Sequence, residues 1–166
     1  MGNQSVLSPE QLFRSVLGLF ASGVTAVTAL GPDGGPFGLT VSSFVSVSLD
    51  PPLISFCAGH ASTTWPLLRT RGSLCVNILG ERQQPIAAQL ASGRSDKFHA
   101  IEWSPSPGGL PVLSGALAWL ECTVHAEHPA GDHDIVVCRV LRLAQASEDG
   151  PLVRFRGSYA RLKYSI

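Results

Sequence analysis

Side chains that could bind a flat polar ligand recur at every second position in part of the stretch between residues 36 and 57. The odd positions of this stretch are mostly apolar, and the even positions carry the hydroxyls of Thr40, Ser42, Ser46 and Ser48. Alternation with a period of two predicts a β-strand with two different faces. Short hydroxyl side chains leave the backbone approachable, and each can donate or accept a hydrogen bond. The alternative interpretation is a half-exposed strand whose serines face water.

The alternation slips at Ser43 and Phe44, where a polar and an apolar residue exchange faces. A bulge or a sharp bend would explain the slip, and bulges often re-aim groups at binding sites. The segment Asp50–Pro52 is predicted to end the strand, because proline has no N–H for the ladder. A second strand is predicted from Leu53 to Cys57.

A polar loop over residues 59–64 precedes a short helix predicted at residues 65–69. Thr64 could be the N-cap of this helix. Free backbone N–H groups at a helix start attract anions such as phosphate. Ser62 and Thr63 stand just before this start, and one interpretation is that they only cap the helix.

Three histidines, His125, His128 and His133, lie close together in the sequence. Their spacing matches no helical zinc motif, and no cysteine is near them, so no metal site is predicted. A turn between two paired strands, bent at Gly131 and Asp132, explains the segment better.

The remaining chain supplies elements that must position these groups. Ser8 and the apolar stripe that follows predict an amphipathic helix that packs on a sheet. A turn over residues 31–35 predicts a hairpin between a strand at 24–30 and the hydroxyl-rich strand. Further strands are predicted at 73–79, 117–126, 135–143 and 151–155, a helix at 81–91, and a loop at 104–111.

Size and charge limit the classes of function. The 166 residues are most simply a single domain over 1–166, with a flexible tail at 1–7. Formal net charge is zero, from 12 basic and 12 acidic residues, so no nucleic-acid partner is predicted. Between Arg14 and Arg69 the only charges are Asp33 and Asp50. This charge-poor stretch indicates either burial against a second subunit or a large core.

Targeting features are not evident in the sequence. No run of about 18 apolar residues predicts a membrane span, and the first residues do not resemble a secretory signal. The four cysteines are scattered without a Cys-x-x-Cys pair. They are predicted to be small buried apolar residues with free thiols, as is typical of the reducing cytoplasm.

Residues 38–53, which read GLTVSSFVSVSLDPPL, resemble the signature of the flavin reductase-like family. The likeness extends to FASGVTAVTA at 20–29, Asp-Lys-Phe at 96–98, Gly-Asp-His at 131–133 and FRGSY at 155–159. The resemblance implies a mainly β fold, a split β-barrel of Greek-key type with a few flanking helices. It also implies a homodimer with the ligand near the interface.

The resemblance further implies a flavin site. Backbone N–H groups of the hydroxyl-rich strand would bind the isoalloxazine edge, and Lys97 would approach a phosphate. The residues assigned to flavin on this basis are Thr40, Val41, Ser42, Ser43, Ser46, Val47, Cys57, Ser62, Thr63, Lys97 and Phe98.

A nicotinamide site is implied by the same resemblance. His133 would align the nicotinamide, Arg156 would meet a pyrophosphate, and Gly157 and Tyr159 would border the ring. The alternatives are a surface histidine and an ordinary C-terminal edge strand. One departure is Cys138, which occupies a position where many relatives have glycine.

The resemblance implies an NAD(P)H:flavin oxidoreductase that reduces FMN or FAD with NADH or NADPH and supplies reduced flavin to a separate monooxygenase. The chain has no Gly-x-Gly-x-x-Gly motif, so a dinucleotide would bind without a Rossmann arrangement. One alternative is a split-barrel module that binds flavin or haem without turnover. Another is a flavin oxidase similar to the pyridoxamine phosphate oxidases, whose basic phosphate-binding pattern is not evident here.

Overall fold

Strands form most of the protein. The computed structural model describes residues 7–94 and 96–162, so the predicted tail at 1–7 lies outside the described residues except for exposed Leu7. The helices are α1 Pro9–Leu17, α2 Trp65–Leu68 and α3 Gln84–Ala91, and a 3-10 turn, Glu81–Gln83, precedes α3. The strands are β1 Ser22–Gly23, β2 Thr25–Leu30, β3 Pro36–Val41, β4 Val45–Leu49, β5 Pro52–Gly59, β6 Leu74–Ile78, β7 Trp103–Pro105, β8 Pro111–Leu113, β9 Ala118–Ala130, β10 His133–Gln145, β11 Leu152–Phe155 and β12 Ser158–Arg161.

Seven antiparallel strands form the main sheet in the order β3-β2-β6-β9-β10-β5-β4. A smaller sheet has the order β1-β11-β12, and β7 pairs with β8. The two edge strands of the main sheet, β3 and β4, are joined by only three residues, and β3 also contacts β5. A sheet whose edges are so closely linked must curl, which gives a split barrel. The predicted mainly β fold is confirmed.

The pattern slip at Ser43 and Phe44 is an interruption between two strands. β3 ends at Val41, and β4 begins at Val45 on the opposite edge of the sheet. The bend that was predicted as one of two possibilities is therefore present, but the hydroxyl-rich stretch is not one continuous strand.

Two clusters of buried apolar side chains fill the interior. The first lies within the curled main sheet and includes Phe56, whose ring meets that of Trp65 edge-to-face at 5.5 Å between centroids. The second lies between β2, α3 and β11, and includes Leu90 and Leu152. Because α3 supplies Ala87 and Leu90 to this cluster, its position is set by apolar burial.

Helix α1 begins as predicted. Ser8 Oγ accepts from the Gln11 N–H at 3.2 Å, and Gln11 Oε1 accepts from the Ser8 N–H at 2.8 Å, which is a capping box. The prediction that α1 packs on a sheet is wrong for the single chain, because none of its residues is buried. The side chain of Phe13 is 64% exposed and that of Phe20, just beyond the helix, is 81% exposed. The strands fill the sheet interior themselves and leave no face for this helix.

Two other predictions are corrected near the C-terminal half. Residues 104–111 were predicted as a loop, but β7 and β8 form a short hairpin around them. The chain was predicted to end in one strand over 151–155, but β11 is followed by β12 across a two-residue turn. Both hairpins are short, so their alternation is too brief to stand out in the sequence.

All four cysteines are free, as predicted. Cys75, Cys122 and Cys138 are fully buried, and burial raises the pKa of Cys75 and of Cys138 to about 12 and raises that of Cys122 further. Cys138, at the position where many relatives have glycine, packs in the first core cluster. No helix in residues 7–94 and 96–162 is long and apolar enough to cross a membrane.

Candidate active site

A cavity of about 620 Å³ lies where the ends of β3 and β5 meet the end of α3. Such a volume is typical of sites for small molecules and cofactors. The residues that line the cavity are Leu39, Thr40, Val41, Ser42, Ser43, Cys57, Ala58, Gly59, Ala61, Ser62, Thr63, Leu90, Ala91, Ser92, Gly93, Lys97 and His133. Eight of the eleven predicted flavin residues are among them.

Ser42 and Ser43, the first two residues of the three-residue link between β3 and β4, line this cavity. The Cys57 N–H donates to Ser43 Oγ at 2.8 Å, which fastens the link to β5. The backbone N–H groups of Ser42, Ser43 and Phe44 have no acceptor among the described residues. Since an unpaired N–H is a strong donor, this link presents donors that a ligand can use. Thr40 Oγ1 instead donates to the carbonyl of Ala87 at 3.4 Å.

Ser46 and Val47 do not line the cavity, although both were predicted to contact the flavin. They lie in β4, which pairs with β5 on the side away from β10. The interruption at residues 42–44 carries them to the opposite edge of the sheet. The structure therefore separates them from the other predicted residues.

Lys97 is the cation of the cavity. Its Nζ donates to Thr64 Oγ1 at 3.0 Å, and in the described part of the chain no carboxylate lies within ion-pair distance of it. The neighbouring Asp96 is held by Arg94 through two hydrogen bonds of 2.9 and 3.0 Å, which lower the pKa of Asp96. Lys97 thus keeps its charge available for a ligand anion.

Phe98 lies beside the cavity but does not line it. It borders a neighbouring cavity of about 520 Å³, which shares Thr63 and Lys97 with the first. Ser62 Oγ accepts from the N–H groups of Thr64 at 3.3 Å and Trp65 at 3.1 Å. Ser62 therefore binds the start of the short helix and also lines the main cavity. Thr64, the predicted cap, makes no side-chain cap bond.

His133 is the first residue of β10 and lies opposite Gly59 of β5. A Cβ atom on Gly59 would come within 3.3 Å of His133 Nε2, so glycine makes room for the imidazole at the cavity edge. The Nδ1 atom lies 2.7 Å from Asp132 Oδ1, and this hydrogen bond lowers the pKa of Asp132. Because Nδ1 is engaged, Nε2 is the ring nitrogen available at the cavity.

Of the residues predicted to bind the nicotinamide, Arg156 and Gly157 line a cavity with His133, and Tyr159 does not. Arg156 and Gly157 line another cavity of about 600 Å³, which shares Ser42 and His133 with the first. Tyr159 lines neither cavity and packs against the second core cluster, where the Arg154 guanidinium lies 5.4 Å from its ring centroid. The structure therefore joins Arg156 and Gly157 to His133, but not Tyr159.

Sequence reasoning missed eight residues that line the main cavity. They are small or apolar, and no local pattern distinguishes them from core or loop residues: Leu39, Ala58, Gly59, Ala61, Leu90, Ala91, Ser92 and Gly93. Gly93 just after α3 is the one available signal, because a glycine after a helix often allows close approach of a ligand.

The chemistry of the lining residues fits a flavin. The cavity combines hydroxyls, free backbone N–H groups and one lysine, and its lining contains no carboxylate. Such donors suit an electron-rich ring system that carries a phosphate, and they would repel a cationic ligand.

The family model for the flavin reductase like domain matches residues 17–163. The chain belongs to this family. The predictions of the family and of flavin reductase activity are thereby confirmed, whereas the single-domain boundary at 1–166 stays a prediction.

Relatives of the flavin reductase-like chain cover nearly its whole length. A flavin reductase of Pseudomonas putida is 43% identical over 94% of this chain and 91% of its own. The flavin-dependent monooxygenase reductase subunit HsaB of Rhodococcus jostii is 41% identical over 91% of this chain and 77% of its own. The crystal structure of nitrilotriacetate monooxygenase component B from Mycobacterium thermoresistibile has a TM-score of 0.88 at 42% identity, and the match covers 93% and 87% of the two chains.

The thiol of Cys57 offers a test of where the flavin binds in this flavin reductase-like chain. Cys57 is half-buried and lines the main cavity, whereas the other three thiols are buried with raised pKa values. We expect iodoacetamide to alkylate Cys57 alone in the native protein, because the thiolate is the reactive form. FMN at ten times its Kd is expected to slow this alkylation about tenfold by mass action. Mass spectrometry of samples taken at successive times measures the alkylation rate of Cys57.

The matched control for this experiment is Cys57→Ser, which should show no native-state labelling. An alkylation rate of Cys57 that does not change with FMN at saturation would place the flavin elsewhere.

Proposed function

We propose that this chain reduces diffusible FMN or FAD with NADH and passes the reduced flavin to a separate monooxygenase in the cytoplasm. The observation that carries the proposal is that two neighbouring cavities have Ser42 and His133 in common among their lining residues. One cavity is rich in hydrogen-bond donors, and the other is rich in arginine. Two ring systems bound in adjoining cavities can meet face to face, as hydride transfer requires.

The chain's residues would bind and orient the flavin and the nicotinamide, and these molecules, when bound, would supply the hydride-transfer chemistry. The N–H groups of Ser42 and Ser43, which line the cavity, would stabilise negative charge at the edge of the ring system. Lys97 binds the phosphate, and Thr64 holds the lysine in place. Apolar Leu39 and Leu90 exclude water from the same cavity.

His133 acts as a positioning residue at the junction of the two cavities. Asp132 engages Nδ1 and so directs Nε2 toward the cavity, where it can hydrogen-bond the nicotinamide carboxamide. Arg156 and Gly157 complete the nicotinamide side. Tyr159 packs on the second core cluster and contacts the guanidinium of Arg154, so it would act on the nicotinamide site only through that arginine.

The choice of NADH and of a monooxygenase partner rests on named relatives. One is a flavin reductase (NADH) of Kitasatospora aureofaciens, 42% identical, and another is the FMN reductase (NADH) SmoA of Agrobacterium fabrum, 39% identical. The NADH:FAD oxidoreductase SgcE6 of Streptomyces globisporus, in complex with NAD and FAD fragments, has a TM-score of 0.86 at 31% identity. Reductase subunits of monooxygenases recur among the relatives, which supports transfer of reduced flavin to a partner.

Steady-state kinetics with the four flavin–nicotinamide pairs test the proposal. Purified protein should oxidise NADH only when FMN or FAD is added, and NADPH should be the poorer donor. Flavin binding without turnover in any pair would overturn the proposal and favour a non-catalytic binding module.

We further propose that the enzyme is a homodimer. Exposed apolar side chains lie on α1, on edge strand β4 and on β10, in a chain with few charges between residues 14 and 69. In β4, Val45 and Val47 are half-exposed and Leu49 is 91% exposed. Monomeric proteins rarely expose so much apolar surface, so a second copy of the chain is the partner we infer for it.

Analytical ultracentrifugation tests the dimer. We expect a mass of about 35 kDa, twice the 17.5 kDa of one chain. Val16→Glu in α1 and Leu49→Glu in β4 are expected to shift the protein toward the monomer, because a buried unpaired carboxylate strongly destabilises an interface. Leu162→Glu is the matched control, since Leu162 is 53% exposed and lies outside the charge-poor stretch. A monomeric wild-type protein would contradict the proposal.

A further inference from the structure

One residue of the loop that borders the main cavity points away from the cavity. The name cavity loop is used below for residues 59–64, which lead from the end of β5 to the start of α2. The residues of this loop that line the main cavity are Gly59, Ala61, Ser62 and Thr63. The side chain of His60 does not line it and turns toward β10, where its Nε2 atom lies 3.2 Å from Asp134 Oδ1.

Asp134 holds a corresponding position on β10. It follows His133, which lines the main cavity and its neighbour, and it lines neither cavity itself. In the register of β5 and β10, His133 lies opposite Gly59 and Asp134 lies opposite Ala58. Because successive side chains of a strand point to opposite faces, Asp134 points away from the face that carries His133. The His60–Asp134 pair therefore lies behind the cavity, where the cavity loop meets the start of β10.

The ladder between β5 and β10 ends at this place, with Gly59 and His133 as its last pair. Beyond the ladder, the His60 N–H donates to the Asp132 carbonyl at 2.9 Å. Within the described part of the chain, no other backbone hydrogen bond joins the rest of the cavity loop to the turn before β10. The His60–Asp134 pair is thus the side-chain contact that fastens the cavity loop to β10.

Burial favours this pair. The Asp134 side chain is 16% exposed, and His60 is its one ion-pair partner among the described residues. A largely buried carboxylate is costly unless it is paired, and since a carboxylate only accepts, Nε2 of His60 carries the proton. The pKa of Asp132 is lowered first by the hydrogen bond from His133 and further by the charge of His60. The His60 imidazole thus interacts with two carboxylates at the start of β10.

We propose that His60 and Asp134 are positioning residues, whose pair holds the cavity loop against β10 and so sets Ser62 and Thr63 in place relative to His133. This inference rests on the proposed flavin reductase function, in which the cavity loop contacts the flavin. Loss of the pair lets the loop open more often, because segments held by few contacts open locally at low cost. Flavin then binds less tightly, since only the closed loop is competent to bind it.

Hydrogen exchange measured by mass spectrometry tests the contact itself. His60→Ala and Asp134→Ala each remove one partner, and each is expected to speed amide exchange in residues 59–65 about five- to tenfold while exchange in β6 is unchanged. The double variant should exchange no faster than either single variant, because the two side chains act as a unit. His125→Ala is the matched control, since His125 is exposed and lines neither cavity. Exchange at the control's rate in both single variants would overturn the proposal.

FMN titrations without NADH separate a positioning role from a purely structural one. The Kd for FMN is expected to rise about fivefold in either single variant. At saturating FMN and NADH, kcat should stay within about twofold of the wild type, because neither residue touches the reacting rings. His60→Gln keeps a donor for the carboxylate and should recover most of the FMN affinity.

Two further outcomes are decisive. Faster exchange with unchanged FMN affinity would mean that the His60–Asp134 pair only stabilises the fold, and the positioning role would be wrong. A wild-type protein without turnover would end the flavin reductase proposal, while the exchange rates and FMN titrations would still decide the role of the pair.

Discussion

Replacing Lys97 with methionine is expected to weaken FMN binding by about ten- to a hundredfold and to leave riboflavin binding nearly unchanged. Methionine keeps most of the length of the lysine side chain but removes its charge. A charge-assisted hydrogen bond contributes about 1.5 to 3 kcal/mol, which corresponds to this range of affinity. Riboflavin has the same ring system without the phosphate, so it isolates the contribution of the charge. Quenching of flavin fluorescence measures both dissociation constants.

Two variants serve as controls for this experiment. Lys97→Arg keeps the charge and should recover most of the FMN affinity. Thr64→Val removes the 3.0 Å hydrogen bond to Nζ without changing the charge, so its effect should be smaller than that of Lys97→Met. An equal loss of riboflavin and FMN affinity in Lys97→Met would mean that the side chain packs against the ring, and the phosphate assignment would be wrong.

Replacing Glu121 with leucine is expected to lower the free energy of unfolding by about 3 kcal/mol. The Glu121 side chain is 2% exposed and accepts hydrogen bonds from Ser106 Oγ at 2.5 Å, the Gly108 N–H at 2.6 Å and Arg142 Nη1 at 2.6 Å. Without the carboxylate, the Ser106 and Gly108 donors are left unpaired, and each buried unpaired group costs about 1 to 3 kcal/mol. Arg142 is more than half exposed and is solvated, so the ion pair adds little. Urea denaturation measures the change.

The effect of Glu121 should depend on pH with a defined sign. Burial raises the pKa of this carboxyl, but the hydrogen bonds from Ser106, Arg142 and Gly108 outweigh burial, so its folded-state pKa lies below the ordinary value of 4.5. A lowered folded-state pKa stabilises the protein above the ordinary pKa, and this stabilisation is lost as pH falls through the folded-state pKa. The difference between wild type and Glu121→Leu should therefore be full at neutral pH and shrink in acid.

Glu148→Leu is the matched control, since Glu148 is exposed and makes no side-chain hydrogen bond among the described residues. Its free energy of unfolding should stay close to that of the wild type at every pH. If the destabilisation by Glu121→Leu were equally large in acid and at neutral pH, the ionised carboxylate would not be its source.

Local signals in the sequence predicted much of the fold. The capping box at Ser8, the turn at residues 31–35 and the strand that ends at Val41 all depend on neighbours within a few residues, and each is present in the structure. The cluster of hydroxyls around Thr40, Ser42 and Ser43 was recognised for the same reason. Small hydroxyl side chains can be recognised from residue type alone, whatever element carries them.

The places where the structure departs from the sequence pattern depend on residues far apart in the chain. Ser46 and Val47 continue the hydroxyl pattern, but three residues without a strand carry them to the far edge of the sheet. Residues 104–111 resemble a loop, but Ser106 and Gly108 are bound by Glu121 of β9 and are held beside a hairpin.

By itself, the sequence determined the strand-forming segments, the start of α1 and the donor-rich character of the cavity, because these follow from residue type and short-range spacing. Only the tertiary structure decided that α1 leaves its apolar stripe uncovered, that His133 faces Gly59, and that Arg14 and Arg154 join Arg156 around one pocket. The physical reason is that strand order and the curl of the sheet set which distant side chains meet, and the energy of that arrangement comes from burial of the whole core.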